Sequence, residues 1–383
     1  MVTMNWSDWV ALIALIIACA AGIIVILERR DIVTMRHTIA TLAASLNQSV
    51  TVAESRGDVV VVYNPSKQAD FDELKQILKE TAGDAGLPEP VWVETTPEDS
   101  GWGQTREALK RKPSVVIAAG GDGTVRMVAG ALAGSGVPMG LIPVGTGNLL
   151  ARNVGLPLDS PRNMASIALT GRTRRVDIGW IEAPEETPEL RAAVNVIAPD
   201  AEIYSGSQPF IVIAGMGFDA QVMDDTDPTL KRVMGWPAYV VSGMKHLDSQ
   251  RVNAHLVTGE GDHRNEKDIE ARSIMFANCG TLTGGLVLAP DARIDDGWLD
   301  IAVLDTKAGI FGWTDLARRI GLRQFGMRDR VLPETGSIEF RRTKNAVITA
   351  AEPELIQADG DALGWAAEVT ARIEMGGVLL RVG

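Results

Sequence analysis

Between residues 114 and 124 the chain reads SVVIAA-GGDGT, and this junction limits the possible folds more than any other stretch. An unbroken run of β-branched and small apolar residues suits a strand buried on both faces, as parallel sheets require. The glycine pair at its end lets the backbone turn sharply, and Thr124 is placed to cap the next helix. The same grammar recurs nearby. Val59–Tyr63 is a buried strand stopped by Asn64-Pro65, and Met139–Val144 is another, ending in Gly145-Thr146-Gly147. Helical patterns lie between them at Ala69–Thr81, Gln104–Lys112 and Thr124–Leu132, with a further strand at Val91–Glu94. Strands alternating with helices predict a parallel α/β domain over residues 57–175.

Beyond that point the texture changes. Val176–Ile181, Phe210–Ala214, Ala254–Val257, Ser273–Ala277, Leu299–Val303, Ser337–Phe340 and Ala346–Ala350 read as strands with little helix between them. They predict an antiparallel, β-rich second domain over 176–383, whose last segment has the option of packing back on the first domain. Helical inserts are expected at 230–247 and 313–328. Both mix aromatic residues with Lys and Arg, a pattern that suits either contact with anionic headgroups or ordinary amphipathic packing.

The N-terminus reads differently again. Residues 9–27 run without a charge, and a helix of that length reaches about 28 Å, close to the ~30 Å of a bilayer's hydrocarbon. Glu28-Arg29-Arg30 and Arg36 come directly after, so the positive-inside rule predicts a single-pass cell-membrane anchor with the rest of the chain cytoplasmic. A cleaved signal peptide and a buried globular helix are the competing readings. Residues 28–56 read as a juxtamembrane helix and linker, lying against the membrane, pairing with a second copy in a homodimer, or simply solvated.

Composition removes other classes. The 49 acidic residues exceed the 37 basic ones, giving a net charge of −12, which argues against a sequence-independent nucleic-acid binder. Two distant cysteines and four histidines without HExxH spacing offer no disulfide staple and no zinc site. Any metal would be held by oxygen.

Backbone N–H groups at a glycine-rich helix start form an anion cradle, so Gly120–Thr124 suits phosphate, although a plain strand-to-helix turn fits the spacing as well. It is not a Walker A loop, because neither Gly123-Thr124 nor Gly147-Asn148 carries the lysine. Gly215-Met216-Gly217 matches a dinucleotide fingerprint, but the QVMDDTDP run at 221–228 breaks before the long helix such a unit needs. In a parallel sheet the loops after residues 63, 119 and 144 share one edge, which points to a nucleotide, with Lys67 as a phosphate cation. The acidic turns Asp295-Asp296-Gly297 and Asp359-Gly360-Asp361 read first as tight turns. Their chemical alternatives are oxygen ligation of a hard cation or a general base for an alcohol.

Taken in order, NPSK (64–67), GGDGT (120–124), PVGTGN (143–148), RVDIG (175–179), GMGFDA (215–220), PDARIDDGWLD (290–300) and ADGD (358–361) resemble the diacylglycerol kinase catalytic family of lipid kinases. This family is related to sphingosine kinases and, more distantly, to NAD kinases. The resemblance spans 58–383. It implies an NAD-kinase-like α/β nucleotide domain, a C-terminal β-sandwich, and ATP and Mg²⁺ as cofactors. It also implies a membrane lipid alcohol as acceptor, diacylglycerol foremost. By motif, ATP is expected at Asn64, Pro65, Ser66, Lys67 and Gln68, at Gly120, Gly121, Asp122, Gly123, Thr124, Val125 and Arg126, and at Gly145, Thr146, Gly147 and Asn148. Asp361 is expected to join them, and Thr96 as well, although the loop around it is longer than usual. Asp359 is expected as the proton acceptor, with Asp122 its rival. Asp296 and the carbonyls of Arg293 and Trp298 are expected to hold a structural Mg²⁺ linked to Asp177. The chain departs from the family pattern at Lys67-Gln68, where many members have glycine, at Leu149, where Asp is frequent, and at Asp361, where Glu is usual. A sphingosine-type acceptor, an NAD kinase, and a nucleotide-binding protein without turnover are the alternatives to be weighed.

Overall fold

In the computed structural model, which describes residues 57–67, 69–217, 251–259, 264–281, 289, 291–306 and 336–383, strand β1 (Val59–Tyr63) is buried along its whole length. Its side chains alternate between two cores, as the period of a strand demands. Val60 and Val62 pack with Val116, Val128, Leu132 and Leu141, while Val59 and Val61 pack with Leu74, Leu78, Ile117 and Leu169. A strand buried on both faces has to be apolar throughout, and the four valines of β1 satisfy that.

Parallel pairing carries β1 to β2 (Val91–Glu94) on one side and to β3 (Val115–Gly120) on the other. β3 pairs in parallel with β4 (Pro138–Pro143). The chain leaves β1 for one neighbour and then crosses to the other, so the sheet has a switch point between β1 and β3, where open α/β sheets bind ligands. The helices of this half are α1 (Phe71–Asp84), α2 (Trp102–Lys110), α3 (Asp122–Leu132), α4 (Leu149–Asn153) and α5 (Pro161–Thr170). Asp70 caps α1 by accepting from Glu73 N at 2.9 Å.

The remaining strands pair antiparallel with one another. They are β5 (Arg172–Ala183), β6 (Gly206–Phe210), β7 (Ile213–Gly217), β8 (Val252–Thr258), β9 (Asn265–Ala271) and β10 (Ser273–Ala277). β11 (Leu299–Thr306), β12 (Gly336–Thr343), β13 (Asn345–Ala358) and β14 (Asp361–Val382) complete the set, with helix α6 (Pro188–Ile197) between β5 and β6. Phe210, Met216, Phe276, Ile301, Ile348 and Ile356 fill their inner face. β14 joins the two halves. It begins against β13, continues against β5, and ends with Leu379 and Leu380 opposite Pro138 and Met139 of β4, in parallel. The described residues therefore combine an α/β layer with a β-sandwich-like layer.

Several expectations are corrected. The strand expected at 210–214 is two strands, broken at Ile211 and Val212. Helix α3 begins at Asp122, so Thr124 lies inside it, and the N-cap is Gly121, with no side-chain cap. The helices α5 and α6 and the strands β9 and β14 have no counterpart among the elements expected from the sequence. The expected inserts at 230–247 and 313–328, and the segments 9–27 and 28–56 with the pairing read from them, lie outside the described residues. The single-pass membrane placement is corrected: among the described residues no helix is long and apolar enough to cross a membrane.

Candidate active site

The loops that leave β1, β3 and β4 meet at one edge of the parallel sheet. Asn64 N donates to Ala119 O at 3.1 Å, and Val144 N donates to Gly120 O at 3.1 Å, so each loop leaves the sheet beside the next. Gly121 and Gly145 then touch: a Cβ on Gly145 would stand 2.7 Å from the Cα of Gly121. Only glycine permits this approach. The first turn of α3 starts here, and its N–H groups have no acceptor within the helix. Lys67 reaches the same point, its Nζ 3.5 Å from where a Cβ on Gly121 would lie. Asn64 holds that loop as an Asx turn, its Oδ1 accepting from Ser66 N at 3.0 Å and Ser66 Oγ at 2.7 Å. Pro65, Ser66, Lys67 and Thr146 are exposed, Gly147 and Asn148 partly so.

Asp122 ties the second loop to the first. Its Oδ2 accepts from Asn148 N at 3.0 Å and its Oδ1 from Leu149 N at 2.7 Å, which caps the start of α4. Asn148 is left-handed (φ 51°) and closes its own loop, donating from Nδ2 to Gly145 O at 2.8 Å and accepting from Gly145 N at 3.0 Å. Both oxygens of the Asp122 carboxylate thus accept main-chain N–H bonds, and Asp122 caps the start of α4 from the neighbouring loop.

Asp359 is arranged differently. It occupies the two-residue turn between β13 and β14, with φ 48° and then φ 89° at Gly360, a conformation Asp and Gly tolerate best. Its side chain turns inward. Oδ2 accepts from Ile211 N at 2.7 Å, and Oδ1 accepts from Val212 N at 2.8 Å and Ile213 N at 2.9 Å. The break between β6 and β7 thus supplies three successive amides to one carboxylate. Such donors, together with the positive charge of Arg126, lower a carboxyl pKa, but burial outweighs them and pushes Asp359 up to about 6. Cys279 lies close by, its Sγ 3.5 Å from Ile211 O, and burial pushes that thiol far above its ordinary value, so it stays neutral.

Two residues on, Asp361 returns to the glycine loops. Its Oδ2 would be 2.8 Å from a Cβ on Gly123, and it accepts from Arg126 at 3.1 Å. The structure thus brings the three loops together and joins them, through Asp361, to the turn that carries Asp359. At three expected nucleotide positions the side chains are buried. Val125 is a core residue, Thr124 is buried beneath Gly120, and Arg126 is buried with only 6% of its surface exposed. Thr96 is exposed at the end of β2 and its Oγ1 accepts from Asp99 N at 3.2 Å, a local turn. Gln68 lies outside the described residues.

The second acidic turn does not fit the expected Mg²⁺ site. Asp296 Oδ2 is paired with Arg342, and its Oδ1 accepts from Trp298 N at 3.2 Å. Arg342 also pairs with the buried Asp300 at 3.2 Å, while Arg174 pairs with Asp295 at 2.6 Å and Arg293 reaches it at 3.8 Å. Asp177 is buried and accepts main-chain bonds from Gly297 and Gly376, each at 2.7 Å, yet burial raises its carboxyl above the ordinary range. Arg342 thus occupies Asp296, the carboxylate expected to ligate the cation directly, while the Asp177 oxygens accept the main-chain bonds. Among the described residues no three His, Cys, Asp or Glu side chains gather as a metal set.

The amides of Ile211, Val212 and Ile213 escape sequence reading altogether. Every residue except proline carries an N–H, so no residue type announces them; the sole trace is a strand-like run too long to be straight.

Comparison with known proteins agrees with this fold. The family described as "Diacylglycerol kinase catalytic domain" matches residues 58–181, and "YegS C-terminal NAD kinase beta sandwich-like domain" matches 211–380. A "Probable lipid kinase YegS-like" of Pseudomonas aeruginosa is 32% identical over 267 residues, covering 67% of this chain and 75% of that protein. A diacylglycerol kinase of Bacillus subtilis is 30% identical over 252 residues, covering 64% and 72%. A crystal structure of a diacylglycerol kinase from Bacillus anthracis shares the fold, with a TM-score of 0.57 and 18% identity over 85% of this chain and 97% of that one. The chain therefore belongs to the diacylglycerol kinase catalytic-domain family, within its lipid-kinase branch, and is a phosphotransferase with an alcohol acceptor.

Proposed function

We propose that this lipid kinase transfers the γ-phosphoryl group of ATP, taken as its magnesium complex, to the hydroxyl of diacylglycerol, giving phosphatidic acid. The observation that carries the reading is the meeting of the three loops at the switch point with the Asp359 turn, through Asp361 beside Gly123. Phosphoryl transfer asks a protein for positioning and charge neutralisation more than for covalent chemistry. The first-turn N–H groups of α3 and the Lys67 ammonium supply both at one place. Asp122 holds the 145–148 loop in register with them.

In the transfer step, the acceptor oxygen forms a bond to the γ-phosphorus, and the bond from that phosphorus to the β–γ bridging oxygen breaks, leaving ADP. The proton of the hydroxyl passes to Asp359. Oδ1 already accepts two N–H bonds and Oδ2 only one, so Oδ2 keeps the lone pair that receives it. A carboxyl with a pKa of about 6 is largely ionised at neutral pH yet still a useful base, which suits general-base catalysis. Its burial also excludes water from the site of transfer, favouring the lipid acceptor over hydrolysis.

The test is labelled-ATP transfer by the purified chain into a total lipid extract, with NAD as a parallel acceptor. Labelled phosphatidic acid supports the proposal. Label in NAD alone, or in a lipid other than phosphatidic acid, overturns the assignment of substrate.

A further inference from the structure

Arg126 sits in α3, the helix whose first turn forms the glycine loop, yet its side chain faces away from solvent, 7% exposed. Its guanidinium has two partners. One is Asp361 Oδ2 at 3.1 Å, two residues after Asp359; the other is Pro209 O at 3.4 Å, two residues before the first amide that clasps the Asp359 carboxylate. Pro209 is itself wedged against the same helix, for a Cβ on Gly130 would come within 2.5 Å of its ring. Both chain segments that seat the carboxylate, 209–213 and 359–361, are thus fastened to a single side chain of the phosphate-loop helix. Its Nε is buried without a hydrogen-bond partner, and folded proteins seldom keep such a group in place without a reason.

We propose that Arg126 is a positioning residue for the proton acceptor and not a ligand of the nucleotide, coupling the phosphate-loop helix to both halves of the Asp359 seat. The inference rests on the reading of Asp359 as proton acceptor. Among the described residues, the charged and titratable groups that act on Asp359 and its seat are Arg126 from α3, its partner Asp361 on the same hairpin, and the neutral Cys279 after β10. Arg174, Asp177 and Asp295 act on Cys279 from behind. Arg126 contributes the positive charge that favours the ionised carboxylate. Its removal therefore raises the pH at which the base becomes available.

Arg126→Met and Arg126→Lys are compared with the parent chain by steady-state kinetics across pH, with thermal unfolding as the check on folding. The expected result for Arg126→Met is a fall in kcat of about tenfold or more, with KM for ATP within about threefold. The acid limb of kcat/KM moves upward by about half a pH unit, and Arg126→Lys returns the limb toward its parental position. A tenfold rise in KM for ATP at unchanged kcat overturns the proposal in favour of a nucleotide ligand. A fall in kcat with an unmoved limb and no rescue by lysine reduces Arg126 to a structural part and also overturns it. Should Arg126→Met not fold, Asp361→Asn cuts the same tie from its half-exposed end. It is expected to lower kcat at constant KM for ATP, and unchanged kcat sinks the proposal. Asp359→Asn separates the two claims: if that variant keeps full activity the base assignment fails whatever Arg126 does. If it is inactive while Arg126→Met behaves as the parent, only the present inference fails.

Discussion

The two acidic turns of this chain begin from nearly the same letters, Asp-Asp-Gly at 295–297 and Asp-Gly-Asp at 359–361, and end in opposite electrostatic states. Around 295–297 the carboxylates meet arginines: Asp295 has Arg174, and Asp296 and Asp300 share Arg342. At 359 the carboxylate is buried and its hydrogen bonds come from main-chain amides, while the Arg126 guanidinium is spent on Asp361 and Pro209. Charge pairing makes the first turn inert and locks its shape. In the second turn Arg126 pairs with Asp361, while Asp359 is left to main-chain amides and to burial, which raises its carboxyl pKa. What decides chemistry here is the facing chain, not the turn.

Asp359→Asn gives the largest expected break in that contrast. Loss of a positioned general base lowers kcat by about a thousandfold, with circular dichroism unchanged. Activity within about tenfold of the parent would erase the distinction between the turns. Gly145→Val should come next, since its Cβ meets Gly121 at 2.7 Å and forces the two loops apart. A displacement near 1 Å costs about a hundredfold in kcat/KM for ATP, while unfolding temperature changes little. Arg342→Met tests the other turn: it leaves the buried Asp300 without its counter-charge and is expected to cost about 2 kcal/mol in denaturant unfolding, discounted for the partly exposed arginine. It should leave KM for ATP unmoved.

The pH response is a subtler probe. Asp359 has a folded-state pKa of about 6, above the ordinary 3.8, so the folded chain binds this proton more tightly than the unfolded one. Its contribution to stability is fully present below the ordinary value and is lost as pH rises through about 6. Activity runs the other way, with kcat/KM rising through the same pH as the carboxylate ionises. An acid limb absent from the rate profile near pH 6 would remove Asp359 from the transfer step. The smallest effect is expected from chelation: with nucleotide absent, EDTA should not shift the unfolding temperature, because arginines already hold the 295–297 turn. A clear loss of stability would restore a resident cation there.

Much of this is readable from the letters. β1, β2 and β3 declare themselves by their runs of β-branched residues, and the glycine loops fall at one edge because parallel pairing puts strand ends there. The hairpin at Asp359-Gly360 comes from residues that tolerate positive φ. Other features are not legible. β14 alternates poorly in its letters because small Ala366 and Ala371 stand at buried positions, which hides a strand of 22 residues. Arg126 groups with the nucleotide ligands by its place just after GGDGT, yet its guanidinium is taken up by Asp361 and Pro209 O, partners that lie far away in the sequence. Asp122 has the chemistry of a proton acceptor by residue type, and only the structure shows that it caps the start of α4 with both its oxygens.

Local chemistry thus determined the parallel sheet, the phosphate-ready loops and the residues able to turn tightly, because those depend on side-chain shape and on neighbours a few positions away. Tertiary structure alone decided which carboxylate is clasped by main-chain amides in a buried turn, which is a cap and which is bound to arginine. Those roles are set by amides, guanidiniums and burial contributed from distant segments, such as Ile211 beside Asp359, and no pattern within either segment records the encounter.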